Sequence, residues 1–522
     1  MEPRVTGAPF LFTGAYLMVK TYKILILGGG TAGWMAANLM AKSWSKQGFS
    51  ITLMESPDIP TVGVGEGSTP YIRRFFEQMD IPESEWMPQC HATYKNGIRF
   101  TDWTTKPGFE SYFHPFATDI DNPHFNLFKQ HVALRRQGLN ISVHPDDYFL
   151  MTHMTKRKKL PLPTGQFSHT LFYAYHFDAK LLGDFLKKRA LCAGVKYLVD
   201  KAFEIEKHPN GDIAAIQTHS NQRIEADFFV DCSGFSSLLM QKALDVPFIS
   251  YRDSLHNDAA VAIPSAAEAP FLPQTLSAAM PCGWRWKIPL THRTGNGYVY
   301  SSDHLSGDEA EQQLRNAAGI NNARTAAHHI KMRVGRNQAH WKRNCLAVGL
   351  SQGFIEPLEA TGLQMTLITI EQFIAHFEKG NFTSRYQENV NNGINAAFDH
   401  IRDYVLLHYL ANNRNDTQYW RDCRGDVAIS DSLRSILEIW SQGGDLEQEL
   451  QRQNISQYYP SLSWHVILTG MGVFPSAHYQ NPSLNQQFQT SKANMKAFFN
   501  HCVAQFQSSV SANQQGSVQN VY

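Results

Sequence analysis

The pattern of hydrophobic and polar positions near the start of the chain is that of a parallel α/β unit. Residues 23–27 form a short apolar run, residues 31–42 place small and apolar residues at helical spacing, and residues 49–54 form a second apolar run. Two short buried strands on either side of a helix predict a βαβ unit. Such a unit is half of a Rossmann-type fold.

Later apolar runs predict more strands, at residues 196–199, 213–218, 227–231 and 345–348. Residues 284–289 and 298–302 predict strands of a separate antiparallel sheet, so the nucleotide-binding module is split by insertions. Beyond about residue 362 the spacing becomes helical, with helices predicted at 363–379 and 392–411.

The predicted fold class is therefore α/β, with an inserted antiparallel sheet and a helical C-terminal region. We expect an N-terminal extension over residues 1–18 and the nucleotide-binding module over 19–365, with insertions at roughly 85–175 and 250–340. The helical region then covers 366–506. The Ser-, Gln- and Asn-rich end, 507–522, predicts a disordered tail.

Composition excludes several functional classes. Lys plus Arg number 47 and Asp plus Glu 46, so neither nucleic acid nor an anionic membrane is an expected partner. The seven cysteines form no C-x-x-C pair, which argues against zinc and against a disulfide scaffold. No apolar run reaches the length of a membrane span. Residues 9–19 mimic a signal-peptide core but lack a strongly basic start and a cleavage site. We expect a cytoplasmic protein, and Met18 is a candidate for its start.

The turn after the first predicted strand has the chemistry of a dinucleotide site. Its run Gly28-Gly29-Gly30-Thr31-Ala32-Gly33 matches the G-x-G-x-x-G pattern in a strand–turn–helix context. Gly28 permits the tight turn, Gly30 lets the backbone approach a pyrophosphate, and Gly33 permits close helix packing. Glu55, at the end of the second strand, can accept a hydrogen bond from a ribose hydroxyl of FAD or NAD.

Two later segments favour FAD. Residues 227–234 form an apolar strand that ends in Asp231 and then Gly234, and residues 344–350 form another that ends in Gly349 and Leu350. Either could be only a core strand with a tight turn. Both resemble the FAD-contacting strands of hydroxybenzoate-hydroxylase-type flavoproteins.

Three further motifs extend the resemblance to a specific family. Residues 283–289 read G-W-R-W-K-I-P, residues 63–70 read G-V-G-E-G-S-T-P, and residues 351–362 read S-Q-G-F-I-E-P-L-E-A-T-G. They resemble the W-x-W-x-I-P box, the flavin strap and the F-x-E-P-L-E segment of flavin-dependent tryptophan halogenases. The resemblance covers Tyr22 to about Pro482, and it assigns the strap residues Gly63, Val64, Gly65 and Glu66 to cofactor binding.

The resemblance implies an enzyme that receives FADH2 from a separate NADH-dependent flavin reductase. Oxygen then gives a flavin hydroperoxide, a halide (bromide or chloride) attacks it, and the resulting hypohalous acid halogenates an electron-rich aromatic of indole or phenol type. The same resemblance implies that the halide lies on the backbone amides of Thr361 and Gly362, that Glu359 stabilises or deprotonates the arene, and that Trp284 and Trp286 screen flavin from substrate. Glu359 could instead be only a helix N-terminal carboxylate, and the tryptophans only a packed hairpin.

The chain departs from the family where a catalytic lysine is expected. Counting from the strap selects Arg73 or Arg74, and no lysine occurs between Pro70 and Trp86. Arginine can bind hypohalous acid but does not supply a neutral amine. Lys95 lies in a segment that resembles a different part of the family, so the sequence alone does not assign it.

The sequence leaves the substrate open. Phe113, Tyr458, Tyr459 and Trp464 are candidates to line an aromatic pocket, and a substrate larger than free tryptophan, or one bound to a carrier, is equally allowed. Family members are often dimers, which leaves a homodimer open.

The missing lysine leaves two rival functions open. One is a flavin-dependent monooxygenase or oxidase that has lost halide chemistry. The other is a flavin-binding protein without turnover.

Overall fold

The computed structural model describes residues 21–59, 65–322, 324–425 and 427–509. At its centre lies a six-stranded sheet, and its first strands confirm the predicted βαβ unit: Tyr22–Leu27 and Phe49–Glu55 pair in parallel around the helix Thr31–Trp44. The sheet order is Trp341–Lys342, Cys345–Ala347, Phe228–Asp231, Tyr22–Leu27, Phe49–Glu55 and Lys196–Val199. Five of the predicted strands run parallel in this sheet and therefore end at one edge, where open α/β sheets bind their ligands.

A seven-stranded sheet forms the second layer, and it contains the tryptophan-rich motif. Its order is His328–Lys331, Ala259–Ala266, Arg293–Tyr300, Gly283–Pro289, Thr275–Met280, Gly97–Thr101 and Ser111–Pro115. Gly283–Pro289 pairs antiparallel with Arg293–Tyr300, which confirms the predicted separate sheet. The second strand begins at residue 293 rather than 298, because pairing extends back to the turn at residues 290–292.

A small three-stranded sheet contacts the seven-stranded sheet through its first strand. Its order is Gly65–Gly67, Ala174–Asp178 and Thr93–Lys95. The end of the strap therefore pairs with the strand that leads into the helix Ala179–Cys192. Residues 60–64, which include the predicted cofactor residues Gly63 and Val64, lie outside the described residues.

Three peripheral sheets complete the β-structure. One contains Ala202–Lys207, Ile213–Thr218 and Arg223–Glu225, so the run at 213–218 is a strand as predicted but pairs outside the central sheet. The second contains Phe248–Ser250, Gly335–Asn337 and Gly353–Phe354. In the third, Phe506–Ser508 pairs with Lys159–Pro163, so the segment predicted as a disordered tail begins inside a strand. Residues 510–522 lie outside the described residues, as does the predicted extension at 1–18.

Helices make up most of the C-terminal third. The helix Gly362–Lys379 crosses the boundary predicted at residue 365 and packs against Thr31–Trp44, so the two predicted regions share one core. Among the described residues no helix is long and apolar enough to span a bilayer. The other α-helices are Tyr71–Gln78, Glu83–Gln89, Asn122–Arg136, Leu150–Lys156, Ala179–Cys192, Gly307–Ala318, Gln387–Ala411, Gln418–Asp422, Asp431–Ser441, Leu446–Arg452, Ser461–Gly470 and Pro482–Val503.

Candidate active site

The turn at residues 28–33 has the geometry of a pyrophosphate cradle. Gly28 has φ +119°, and a Cβ there would lie 2.2 Å from the carbonyl oxygen of Cys232. A Cβ on Gly33 would lie 2.0 Å from the carbonyl oxygen of Gly28, so the helix packs on the turn at a distance only glycine permits. Gly30 faces open space, since a Cβ there would meet nothing within 4 Å. The helix begins at Thr31, and the N–H groups of its first turn, including those of Ala32 and Gly33, lack intrahelical acceptors and favour an anion.

Glu55 lies beside this turn, as the sequence predicts. Its Oε2 accepts a hydrogen bond from the Tyr197 hydroxyl at 2.8 Å and lies 3.6 Å from Lys187 Nζ. A cavity of about 280 Å³ opens here, lined by Gly29, Glu55, Lys180 and Tyr197 among others. The cavity and the helix N-terminus together form a site suited to a nucleotide.

The other predicted cofactor residues lie at the same edge of the sheet. Asp231 accepts hydrogen bonds from the backbone N–H groups of Ser233, Leu239 and Met240, so its carboxylate holds its own turn instead of facing a ligand. Gly234 and Gly349 have φ +68° and +71°, and a Cβ on Gly349 would lie 2.7 Å from the Cβ of Ala32.

Leu350, after Gly349, keeps 43% of its surface exposed. The strands that carry Asp231 and Gly349 thus end at the same edge of the sheet as the glycine turn.

A second cavity, of about 350 Å³, lies between the strap and the seven-stranded sheet. Gly65, Trp286, Asp178 and Arg293 are among its lining residues, and Lys180 lines both cavities. Arg293 forms an ion pair with Asp178 at 2.7 Å. The neighbouring strap residue Glu66 has a pKa raised to about 7 by burial. Trp286 therefore lines a cavity. A hairpin in which the tryptophans served only for packing would not need such a position.

Trp284 faces the turn that leads to Glu359. Its Nε1 donates a hydrogen bond to Oε2 of Glu356 at 2.7 Å, and the same oxygen accepts from Tyr409 and Asn257. Trp284 and Trp286 lie 6.2 Å apart between ring centroids. The tryptophan box and the P-L-E segment therefore meet directly.

Glu359 is buried among basic side chains. Its Oε1 lies 2.9 Å from Nε2 of His408, and its Oε2 lies 3.8 Å from Nδ1 of His114. Burial alone would raise the pKa of the carboxyl, but the neighbouring basic side chains of His114, His408 and Lys95 outweigh burial and hold that pKa below its usual value. Glu359 is therefore a carboxylate at neutral pH inside a site that water barely reaches.

Lys95 belongs to this site. It is fully buried, and its Nζ donates to the carbonyl oxygen of Ser68, in the strap, at 2.9 Å. Burial lowers the pKa of Lys95 to about 7, against the opposing influence of Glu359. The strand Thr93–Lys95 brings its side chain here through pairing with Ala174–Asp178, a long-range contact that counting along the chain from the strap could not reveal.

Arg73 and Arg74, the residues selected by that counting, lie elsewhere. Arg73 stacks on Tyr173 at 4.0 Å, donates to the carbonyl oxygen of Leu171 and pairs with Glu77. Arg74 is exposed on the helix Tyr71–Gln78. The structure thus gives the arginines other contacts and places a lysine beside Glu359.

Thr361 and Gly362 lie at the start of the helix Gly362–Lys379. Ala360 before them adopts a left-handed conformation, φ 58°, and Thr361 is buried. The backbone N–H groups of the first helical turn have no intrahelical acceptor, and the helix dipole favours negative charge there. The position suits a halide next to Glu359.

Two of the four predicted substrate residues lie near Glu359. Tyr459 stacks on Tyr404 at 3.6 Å, and Trp464 lies edge-on to Tyr404 at 5.1 Å. Phe113 points to the other face of its strand, toward Arg99, and Tyr458 packs beside His400, so neither is brought to this site.

The sequence did not assign to the Glu359 site several residues that surround its carboxylate. They are Lys95, Tyr112, His114, Tyr404 and His408. The alternation of the strand Ser111–Pro115 could have indicated Tyr112 and His114 as a pair on one face. Among the described residues the buried Tyr112 Oη, His114 Nδ1 and Trp464 Nε1 have no hydrogen-bond partner. Unpaired polar atoms of this kind indicate a place for a ligand.

Comparison with known proteins agrees with this geometry. The family model described as tryptophan halogenase matches residues 23–486. Tryptophan 6-halogenase SttH of Streptomyces toxytricini is 39% identical over 475 residues, which cover 86% of this chain and 89% of that protein. Tryptophan 7-halogenase RebH of Lentzea aerocolonigenes is 33% identical over 494 residues, which cover 88% and 91%.

The crystal structure of SttH superimposes with a TM-score of 0.80 at 34% identity, and covers 94% of this chain and 99% of that chain. The sequence resemblance and the α/β fold are thereby confirmed. The chain belongs to the flavin-dependent tryptophan halogenases, enzymes that use FADH2, O2 and a halide to halogenate tryptophan-like aromatics.

Proposed function

We propose that this protein makes hypohalous acid and uses Lys95 and Glu359 to transfer the halogen to an electron-rich aromatic of indole or phenol type. The observation that carries the proposal is the buried pair itself. A lysine with a pKa of about 7 and an ionised glutamate lie in one enclosed site, each shifting the pKa of the other. Strongly perturbed ionisable groups of this kind cluster where chemistry occurs.

The residues at the sheet edge fit FAD. The open space at Gly30 suits a pyrophosphate, Glu55 suits a ribose, and the cavity beside Trp286 and Gly65 suits the flavin ring. Reduced FAD with oxygen would supply the oxidant that turns a halide into hypohalous acid. Glu66 would lie in the strap over it, and the N–H groups of Thr361 and Gly362 would hold the halide.

Lys95 would hold hypohalous acid beside the arene. Its ammonium form donates hydrogen bonds, and with a pKa of about 7 a substantial fraction is neutral amine at physiological pH. Lys95 thus offers both the donor and the nucleophilic nitrogen that an arginine lacks.

Glu359 would stabilise the cation that forms when the arene takes the halogen. Its carboxylate then removes the proton from the halogenated carbon as a general base. Trp284 would lie between the flavin, where hypohalous acid forms, and the arene that receives the halogen. Its hydrogen bond to Glu356 would hold it in place.

The substrate pocket is aromatic and carries unpaired polar atoms at Tyr112, His114 and Trp464. We propose a small indole or phenol as the simplest occupant, with a larger or carrier-bound aromatic as the alternative. FADH2 would come from a separate NADH-dependent flavin reductase, and a homodimer is consistent with the family.

The rival functions rested on a missing lysine. The buried Lys95 beside Glu359 supports a halogenase over a monooxygenase or a flavoprotein without turnover.

The test combines the protein with FAD, a flavin reductase, NADH, oxygen and bromide, and a panel of indoles and phenols. Mass spectrometry then searches for the bromine isotope doublet. We expect a doublet that falls by about 10²–10⁴-fold in Glu359→Gln and Lys95→Met. Arg73→Ala and Arg74→Ala serve as matched cationic controls and should retain it.

Trapping of hypobromite in the same tubes separates oxidant formation from transfer. Glu359→Gln should still form hypobromite. Loss of the doublet in an arginine variant, with Lys95→Met fully active, would return the catalytic role to the helix Tyr71–Gln78.

A further inference from the structure

Buried polar atoms without a partner lie around Glu359. Tyr112 Oη, His114 Nδ1 and Trp464 Nε1 make no hydrogen bond to any described residue. Tyr112 and His114 lie on one face of the strand Ser111–Pro115, and His114 Nδ1 is 3.8 Å from Oε2 of Glu359. Because a buried donor or acceptor left unpaired is costly, these atoms indicate a bound molecule that supplies the missing hydrogen bonds.

The unpaired atoms belong to uncharged groups. Tyr112 offers a phenol hydroxyl, and Trp464 offers an indole N–H, which only donates. Burial lowers the pKa of His114, which favours the neutral ring at neutral pH. Such groups pair with an uncharged N–H or O–H of a ligand, but none of them balances a full charge.

The segments that carry the side chains around Glu359 contain few charged residues. These segments are residues 93–95, 111–115, 356–362, 404–411 and 461–470, and the structure describes each of them completely. Their Asp, Glu, Lys and Arg side chains are Lys95, Glu356 and Glu359. Within these segments, a charged group on a substrate can pair only with one of these three or with a histidine.

Glu356 faces a different group of side chains from Glu359. Its Oε2 already accepts three hydrogen bonds. Beyond the effect of burial, Glu356 raises the pKa values of Tyr409 and Tyr419, whereas Glu359 raises that of Tyr112. The unpaired atoms therefore lie on the side of Glu359, and the carboxyl of Glu356 is not placed to balance a charge there.

Glu359 and Lys95 are needed for the proposed reaction itself. A substrate ammonium paired with Glu359 would bring the amino group, and not the ring carbon, to the carboxylate. A substrate carboxylate paired with Lys95 would occupy the Nζ that holds hypohalous acid. His408 offers no alternative, because the carbonyl oxygen of Tyr404 and Oε1 of Glu359 already occupy its two ring nitrogens.

We propose, building on the function proposed above, that this site selects an uncharged aromatic of indole or phenol type and rejects one that carries an ammonium or carboxylate group, such as a free amino acid. A charged group brought into the site would lose its hydration and gain no partner. The N–H or O–H group of an indole or phenol would instead pair with atoms that are left unpaired on Tyr112, His114 and Trp464.

The first experiment measures bromination of compounds that differ in charge, with methionine added to consume hypobromite released into solution. The neutral compounds are 3-methylindole and N-acetyltryptamine, and the charged compounds are tryptamine, indole-3-propionate and tryptophan. We expect kcat/KM to be at least about 100-fold lower for each charged compound than for 3-methylindole. Comparable values for a charged compound and 3-methylindole would overturn the proposal.

N-acetyltryptamine separates charge from size, because it is larger than tryptamine but uncharged. Its kcat/KM should stay within about tenfold of that for 3-methylindole. A value as low as that for tryptamine would make size the cause of the selection and would also overturn the proposal.

The second experiment measures binding of the same compounds to the FAD-loaded protein without turnover, by saturation-transfer NMR. We expect the charged compounds to bind at least about tenfold more weakly than 3-methylindole. Charged compounds that bind equally well, or neutral compounds that do not bind, would refute the inference even if the enzyme halogenates. Selective binding of neutral compounds without bromination of any compound would refute only the proposed function.

Tyr112→Phe tests one of the unpaired atoms, because it keeps the ring and removes the hydroxyl. We expect it to bind 3-methylindole at least about threefold more weakly than the unmodified protein does. Tyr148→Phe is the matched control, since that buried hydroxyl is bonded to His131, and it should leave this binding unchanged. Equal binding by Tyr112→Phe and the unmodified protein would contradict the assignment of the unpaired hydroxyl to the ligand.

Discussion

Trp284 donates a hydrogen bond to Glu356 at 2.7 Å, across 72 residues of sequence. This contact joins the tryptophan box to the turn that carries Glu359. The same buried oxygen, Oε2, also accepts from Tyr409 at 2.7 Å and Asn257 at 2.9 Å, while Oε1 has no partner among the described residues. Burial raises the pKa of Glu356. The three hydrogen bonds to Oε2 oppose this effect, so the clear role of Glu356 is to accept hydrogen bonds from three buried donors.

Glu356→Gln should consequently change little, because an amide oxygen accepts the same three bonds without a charge. Glu356→Leu should destabilise the fold by about 2–4 kcal/mol, since it leaves buried donors of Trp284, Tyr409 and Asn257 unpaired. Urea unfolding of the two variants measures the difference. Equal destabilisation by Gln and Leu would show that Glu356 acts as a charged carboxylate.

Alanine substitutions at Gly30 and Gly33 should separate an effect on FAD affinity from an effect on fold stability. The Cβ added in Gly30→Ala would have no neighbour within 4 Å, so the free energy of unfolding of this variant should stay within about 0.5 kcal/mol of that of the unmodified protein. Its methyl group would occupy the space for the pyrophosphate, and we expect FAD affinity to fall at least about tenfold, or 1.4 kcal/mol.

Gly33→Ala is the matched comparison. Its Cβ would lie 2.0 Å from the carbonyl oxygen of Gly28, so the helix must shift, at a cost of about 1–3 kcal/mol. FAD titration by flavin fluorescence and thermal unfolding of both variants test the pair. Unchanged FAD affinity in Gly30→Ala would place the pyrophosphate elsewhere.

Local patterns predicted the parts of this protein that depend on neighbours in sequence. The βαβ unit, the glycine turn and the tryptophan-bearing strands all follow from short-range periodicity and turn chemistry, and the structure has them. The position of Lys95 does not follow from short-range patterns, because it depends on the pairing of its strand with residues 174–178. Phe113 and His114 illustrate the same limit: adjacent residues on one strand face opposite sides, and only the sheet decides which side holds Glu359.

Glu66 should make the protein without FAD less stable as pH rises. Burial raises its pKa from 4.5 to about 7. Between these values the unfolded chain has lost the proton while the folded protein keeps it, so unfolding becomes easier with increasing pH. Glu66→Gln removes this effect and should stabilise the protein by about 1–2 kcal/mol at pH 8, a value reduced for the partial solvent contact of the side chain. At pH 4 the gain should vanish. A gain independent of pH would contradict burial as the cause.

Lys95 should show the opposite dependence on pH. Its pKa falls from 10.5 in the unfolded chain to about 7 in the folded protein. Below pH 7 both states hold the proton, and the full cost of burying an ammonium is present. Between pH 7 and 10.5 the folded protein has released the proton and the unfolded chain has not, so stability rises with pH.

Lys95→Met lacks this titration. Relative to the unmodified protein it should gain about 3–5 kcal/mol at pH 6.5, and the gain should shrink steadily toward pH 10. Urea unfolding across this range measures it, with Lys42→Met, at an exposed lysine, as the control. A Lys95→Met variant that is both more stable at pH 6.5 and unable to halogenate would show that the lysine is kept for chemistry, because its burial costs the fold stability. A less stable variant would mean instead that Lys95 contributes mainly to packing.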